Sequence, residues 1–423
     1  MDTHTKIQHA PLPDPGFSYV DGGVCAARGF SASGLHLGFR KNPERLDAAL
    51  VVADEGPATA AAVFTRNAFA AAPVAVSREV AERGAARAVV LNSGNANAAT
   101  GQPGMEVARQ SAACVAGALG CAPEEVFVAS TGVIGVPLPL SPFTEGAPRL
   151  AQAAAAGSEA AHDAACAIMT TDTRPKECAV SFELAGATCT VGGMCKGSGM
   201  ISPDMATMLA VLTTDAPISQ ELAAAALRQS VDASFNKVTV DSDTSTNDSV
   251  FLLASGAAPI ARIGSAEGLV DAFDVFAAAL RAVCEDLARQ IAADGEGATK
   301  LVTVCVRGAR TDADAELAAR AVANSPLVKT AIAGRDCNWG RIAAAAGKSG
   351  ARFSQDRCDI DIMGLPVCRG GLAQPFSEEE ALRRFESEEI RIEVSLHSGG
   401  GHARMWTCDL THDYIHINAD YRS

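Results

Sequence analysis

Thr207 is the side chain with the most chemistry to offer. It stands near the end of Lys-Gly-Ser-Gly-Met-Ile-Ser-Pro-Asp-Met-Ala-Thr-Met, residues 196–208. Gly197, Gly199 and Pro203 favour a turn-rich backbone before it, and Met-Leu-Ala-Val-Leu over 208–212 reads as a buried strand after it. A chain held in a sharp bend at such a junction lets the Thr207 hydroxyl attack the Ala206 carbonyl. Hydrolysis of the resulting ester then frees Thr207 as a new N-terminus. Its α-amine, with a reference pKa of about 7.7–8.0, can act as general base toward its own hydroxyl without a histidine. β-Propensity and turn chemistry place Thr at such junctions as well, so spacing alone leaves both readings open.

Two further groups have types suited to the same reaction. Val-Phe-Val-Ala-Ser-Thr-Gly, residues 126–132, runs from a strand into a small polar turn. The Thr131 hydroxyl and the Gly132 N–H, aimed at one point, would stabilise an oxyanion, an effect worth about 3–4 kcal/mol per donor. A strand-ending turn uses the same residues. Glu296 lies between Gly295 and Gly297, which allow close backbone approach and let its carboxylate meet a substrate ammonium; a solvated loop carboxylate is the plain alternative.

The elements that must position these groups follow from pattern. Ala88–Leu91, Val126–Ala129 and Leu301–Val306 read as strands, and 104–119, 219–234 and 271–293 as helices, a mixed α and β order. Asp294-Gly295 stops the third helix, and Ser377 with Glu380 forms a capping box that opens another over 378–386. His412-Asp-Tyr-Ile-His-Ile-Asn418 alternates polar and apolar. As a strand it sets His412, Tyr414, His416 and Asn418 on one face. The His412 and His416 spacing suits a metal only on a helix, no His-Glu-x-x-His occurs, and no metal site is predicted.

Composition bounds the function classes. The 423 residues, 48% of them apolar, suffice for a large core and suggest two or three domains; few aromatics leave that core to Ala, Val, Leu and Ile. A net charge of −14, with no concentrated Lys and Arg, argues against a nucleic-acid partner. Thirteen cysteines, odd in number and without Cys-x-x-Cys, read as reduced thiols. No signal-type segment and no apolar span of about 20 residues is seen, so no membrane association is expected and the cytoplasm is the default location.

Residues 196–209 resemble the processing and nucleophile motif of the arginine-biosynthetic glutamate N-acetyltransferases, also called ornithine acetyltransferases. The resemblance continues in order through Gly-Gly-Val (22–24), Pro-Ala-Thr-Ala-Ala-Ala-Val-Phe-Thr (57–65), Ser-Gly-Asn-Ala-Asn-Ala (93–98), Met-Thr-Thr-Asp-Thr (169–173) and Asp-Thr-Ser-Thr-Asn-Asp (243–248). It ends with Asp-Gly-Glu-Gly-Ala-Thr-Lys (294–300), Asn-Trp-Gly-Arg-Ile (338–342) and Ile-Asn-Ala-Asp-Tyr-Arg (417–422), covering nearly the whole chain. It implies an α/β fold of the α+β kind, a layered αββα sandwich with a smaller C-terminal α/β domain. Cleavage between Ala206 and Thr207 would give fragments 1–206 and 207–423 that form one catalytic unit, assembled as a heterotetramer of two of each.

The activity implied is ping-pong transfer of the acetyl group from N2-acetylornithine to L-glutamate through acetyl-Thr207. Thr131 and Gly132 would stabilise the oxyanion, and Thr173, Lys196, Thr207, Glu296, Asn418 and Ser423 would bind substrate, with Ser423 where the family usually has Thr. No cofactor is implied; whether acetyl-CoA serves as a second donor stays open, since members of the family differ. A self-processing aminopeptidase or amidohydrolase of the same fold is the alternative, although those relatives typically carry Ser as nucleophile. Other departures are Ser242 for Gly, Cys337 for Pro and Thr407 for Gly, which bear on loop geometry. The Gly340 to Gly347-Lys348-Ser349 run is two residues too long for a phosphate-binding loop, and no Gly-x-Ser-x-Gly elbow occurs.

Overall fold

Unbroken apolar runs build the centre of the molecule. In the computed structural model, which describes residues 7–202, 208–264 and 272–420, the strands Leu209–Thr214 and Ser249–Ala254 are buried at every position. They pair in parallel with Leu209 opposite Ser249, as expected of strands covered on both faces. Around them runs a seven-stranded sheet in the order Ser18–Tyr19, Lys176–Leu184, Ala187–Lys196, Leu209–Thr214, Ser249–Ala254, Ala58–Phe64 and Ala85–Ala86. A second sheet has the order Phe30–Leu35, Ala48–Ala53, Ala88–Asn95 and Val126–Val133.

The two sheets face each other across a core of Val51, Leu91, Phe127, Met194, Val211 and Phe251, with small Ala side chains between. The Phe127 and Phe251 rings lie 4.8 Å apart. Helices Gln220–Ala233 and Ala272–Ala293 cover the outer face of the larger sheet, and Ala72–Arg83, Gly101–Leu119 and Ser141–Ala153 that of the smaller. The result is the four-layer αββα sandwich. Behind it a six-stranded sheet centred on Leu301–Ala309 and Glu389–Ser395 packs its own apolar core under helices Asp312–Ala323 and Trp339–Gly347, forming the smaller C-terminal unit.

Local signals act where expected. Ala272–Ala293 ends just before Asp294-Gly295. The Ser377 hydroxyl accepts the Glu380 N–H at 3.2 Å, although the helix it opens closes at Arg384 rather than 386. The glycine run from Gly340 lies in helix Trp339–Gly347, capped by Asn338, and is no phosphate loop.

One element departs from expectation. Residues 412–418 are not a strand: His412–Asp420 is a helix. The Thr411 hydroxyl accepts the Asp413 N–H at 3.2 Å and donates to the Gly297 carbonyl at 2.7 Å, so a local cap starts the turn. None of its residues is buried, so no apolar stripe marks it and the chance alternation of Ile415 and Ile417 misleads.

Candidate active site

The end of strand Val126–Val133 carries Thr131 and Gly132 beside the bulged end of Ala88–Asn95. Gly132 has φ +133°, and a Cβ there would fall 2.4 Å from the Gly94 carbonyl carbon, so no other residue fits. Asparagines fix the turn. Asn92 accepts the Ser130 hydroxyl at 2.6 Å, and Asn247 donates to the Ser130 and Ala96 carbonyls at 2.8 and 2.6 Å. Such a web fixes the backbone of the turn.

Across the cleft the larger sheet supplies charge. Lys196, which its place at the head of the turn-rich stretch before Thr207 would put on a flexible loop, is instead the last residue of strand Ala187–Lys196, buried and opposite Leu209. Its Nζ lies 4.0 Å from Asp172. Burial pushes the Lys196 ammonium below its ordinary pKa; Asp172 opposes this and Lys176 adds to it. Lys176, wholly enclosed, donates to Asp172 at 2.7 Å and to Asp294 at 2.5 Å. Burial raises the Asp172 carboxyl, but Lys176 and Lys196 outweigh it and hold Asp172 below the usual carboxylate range. Asp172 also accepts the Thr170 and Gly197 N–H groups at 2.9 and 2.7 Å, tying the loop after Lys196 to this buried cluster.

Glu296 follows helix Ala272–Ala293 and is buried, its N–H donating to the Ser198 carbonyl at 3.1 Å. Asn418, on the last helix, donates to Glu296 Oε2 at 2.6 Å. Gly199 makes this possible, since a Cβ there would stand 2.4 Å from the Glu296 carboxylate. Thr131, Gly132, Lys196, Glu296 and Asn418 line one cleft together with Thr170, Thr171, Met200 and Asn247.

Thr173 is placed differently. Its N–H and hydroxyl both donate to Asp294, and it is not among the described residues lining the cleft. Ala206, Thr207 and Ser423 lie outside the described residues. The chain is anchored on either side of Thr207 all the same. Asp241 accepts the Met200 and Ile201 N–H groups at 2.6 and 2.9 Å, and Asp248 accepts the Met208 N–H at 2.9 Å.

Sequence reasoning assigned no part in the site to Asp172, Lys176, Asp241, Asp248 or Asp294, reading Asp294 only as a helix stop. The available signal was an acid set directly against a buried run, as Asp248 is against Ser-Val-Phe-Leu-Leu-Ala. The departures from the family pattern fall in separate places, Ser242 beside Asp241 and Cys337 in the core of the C-terminal unit. Ser242 takes φ +67°, where Gly would be unstrained, and Thr407 accepts Lys329 Nζ at 2.9 Å. Cys337 is buried beside the Asn338 cap. His412 and His416 share a helix, but no cluster of three or more metal-ligating side chains exists among the described residues. No helix among these residues is long and apolar enough to cross a membrane.

Known proteins resemble the chain over almost its full length. The arginine biosynthesis bifunctional protein ArgJ of Symbiobacterium thermophilum is 49% identical over 407 residues, 96% of this chain and 100% of that protein. The protein of the same name from Chlorobaculum tepidum is 49% identical over 93% of this chain and 96% of its own. A crystal structure of arginine biosynthesis bifunctional protein ArgJ from Bacillus halodurans shares 45% identity, covering 50% of this chain and 98% of that one, with a TM-score of 0.48. Residues 31–423 match the ArgJ family. The chain therefore belongs to the ArgJ family, and it is an acyltransferase.

Proposed function

We propose that this enzyme acts in arginine biosynthesis as a glutamate N-acetyltransferase, moving the acetyl group of N2-acetylornithine to L-glutamate through acetyl-Thr207. The observation that carries the reading is the convergence of Thr131, Gly132, the buried Lys196 and the buried Glu296 on one cleft that Gly199 and Met200 also line. The names of the relatives place them in arginine biosynthesis.

In the proposed sequence the chain first cuts itself between Ala206 and Thr207, and fragments 1–206 and 207–423 stay together as one unit. The Thr207 hydroxyl attacks the acetyl carbonyl, passing its proton to the Thr207 α-amine. The Thr131 hydroxyl and Gly132 N–H receive the oxyanion. Collapse breaks the amide C–N bond, the ammonium returns the proton to the departing ornithine amine, and the glutamate amine repeats the path in reverse on the ester. Lys196 meets the substrate α-carboxylate and Glu296 the ornithine side-chain ammonium, with Asn418 orienting Glu296.

Thr173 acts at one remove in this scheme, by holding Asp294, and Ser423 contributes a closing hydroxyl. Acetyl-CoA stands as a second acetyl donor for glutamate, no other cofactor is required, and two of each fragment assemble in the cytoplasm. Intact-mass measurement is the first test. Two fragments meeting at Ala206 and Thr207 are expected, and acetylornithine without glutamate should add one acetyl group to the fragment that begins at Thr207. A Thr207→Ala chain that still cuts itself, or wild-type enzyme releasing free acetate at the rate of transfer, would overturn the proposal. Glutamate acetylation from acetyl-CoA, assayed alongside, decides the second donor.

A further inference from the structure

Asn247 stands two residues ahead of strand Ser249–Ala254, is 5% exposed, and lines the cleft with no role in the scheme above. Each of its polar atoms is engaged. Nδ2 donates to the Ala96 carbonyl at 2.6 Å and to the Ser130 carbonyl at 2.8 Å, and Oδ1 accepts the Thr246 hydroxyl at 2.6 Å. The main-chain N–H donates to the Ser245 hydroxyl at 3.1 Å, and the carbonyl accepts the Ser249 hydroxyl at 3.0 Å. Both amide protons are spent on backbone, so this side chain has none left to give a substrate.

The two carbonyls it holds bracket the oxyanion donors. The Ser130 carbonyl belongs to the same planar peptide as the Thr131 nitrogen, so holding one fixes the other. Ala96, tied to Asn247 through its carbonyl, gives its N–H to the Val133 carbonyl at 3.0 Å. Thr131 and Gly132 therefore lie between two clamped points, one before them and one after. Gly132 depends on such a clamp, because at φ +133° it has no Cβ to restrict its own backbone. Asn92 grips Ser130 from the adjacent strand Ala88–Asn95, whereas Asn247 reaches the turn from the side of the larger sheet.

We infer that Asn247 is a positioning residue for the oxyanion donors: it locks the Ser130 and Ala96 carbonyls to the larger sheet and so sets where the Thr131 hydroxyl and the Gly132 N–H stand in the cleft. This inference rests on the acyl-transfer reading given above. A donor aids the reaction only if it is aimed before charge develops, and a carbonyl oxygen turned toward that charge would cancel its effect. One amide answers both needs.

The test uses full-length wild-type enzyme, Asn247→Ser, Thr131→Val and the double variant. The wild type is first incubated with acetylornithine alone; no acetyl adduct would sink the acyl-transfer reading and this inference with it. With the adduct seen, Asn247→Ser should lower kcat about tenfold or more while KM is kept. On top of Thr131→Val the same substitution should cost about threefold or less, because one of the donors it positions is already gone. Losses that simply multiply, or a change in KM alone, would overturn the positioning role and leave Thr131 and Gly132 in theirs. Should Asn247→Ser fail to fold or to cut, Asn247→Asp decides. Its carboxyl, once protonated, returns one hydrogen bond, so its kcat relative to wild type should recover as pH falls from 8 toward 5. A ratio flat with pH, or a second failure to fold or to cut, refutes the assignment.

Discussion

The two sheets contribute to the cleft in opposite ways. The four-stranded sheet brings neutral groups, Thr131 and Gly132, held by an asparagine web, whereas the seven-stranded sheet brings Lys196, backed by the enclosed Lys176 and by Asp172 on the loop before its strand. A neutral wall is limited by space, because at Gly132 a single methyl group collides with backbone. A charged wall is limited by balance, because each buried ion depends on its neighbours. Steric changes should therefore be most damaging on one side and charge changes on the other.

Lys176→Met gives the strongest test of that contrast. It strands Asp172 and Asp294, and a loss of about 3–5 kcal/mol is expected in urea unfolding of the uncut Thr207→Ala background. The sign with pH is also fixed. Asp172 has a depressed folded pKa, so the stability it contributes is present above its unfolded value and is lost as pH falls through the folded one. Without Lys176 that contribution shrinks, and the gap between variant and parent should narrow as pH falls below about 4, the ordinary carboxylate value. A gap that is the same at pH 3 as at pH 6 would argue that the cluster acts through packing alone.

On the neutral wall, Thr131→Val keeps shape and β-branching but removes the hydroxyl. A fall in kcat of roughly 10²–10³-fold is expected with little change in unfolding midpoint. A loss of stability comparable to that of Lys176→Met would erase the distinction between the walls. Lys196→Met should act mainly on substrate binding, raising KM for the amino-acid substrates about 10–100-fold, the worth of one charge-assisted hydrogen bond. An unchanged KM would remove Lys196 from carboxylate recognition.

The smallest effect concerns Asp248 in uncut protein. Its raised folded pKa means the native state holds a proton that the unfolded state has released above about pH 4, so stability falls as pH rises. Asp248→Asn in the Thr207→Ala background should flatten that decline between pH 5 and pH 8. Parallel pH curves for the two proteins would show that the carboxyl does not titrate there.

Much of this architecture could be read from pattern. Helices at Gly101–Leu119, Gln220–Ala233 and Ala272–Ala293 begin and end within a few residues of expectation because apolar periodicity and caps agree there. The strand at Leu209 was visible because its run is wholly apolar. The helix at His412 was not, since it buries nothing and a cap at Thr411, rather than an apolar stripe, starts it. Lys196 looked like a loop residue because a Lys ending a strand carries no local sign of burial; the carboxylates that allow it are at Asp172 and, through Lys176, at Asp294. Thr173 was visible as a hydroxyl near the site, but its engagement with Asp294 depends on a contact across 121 positions of sequence. Long-range pairing of this kind has no local signature.

The order of strands in the larger sheet has a consequence for the cleavage proposed before Thr207. Leu209–Thr214 and Ser249–Ala254 follow that point in the chain, yet they lie between Ala187–Lys196 and Ala58–Phe64, which precede it, hydrogen-bonded to both. A break before Thr207 would leave two polypeptides interleaved within one sheet, neither able to complete it alone. Unfolding would then depend on protein concentration, as in an obligate dimer, and refolding would require two strangers to meet where one chain had once closed on itself.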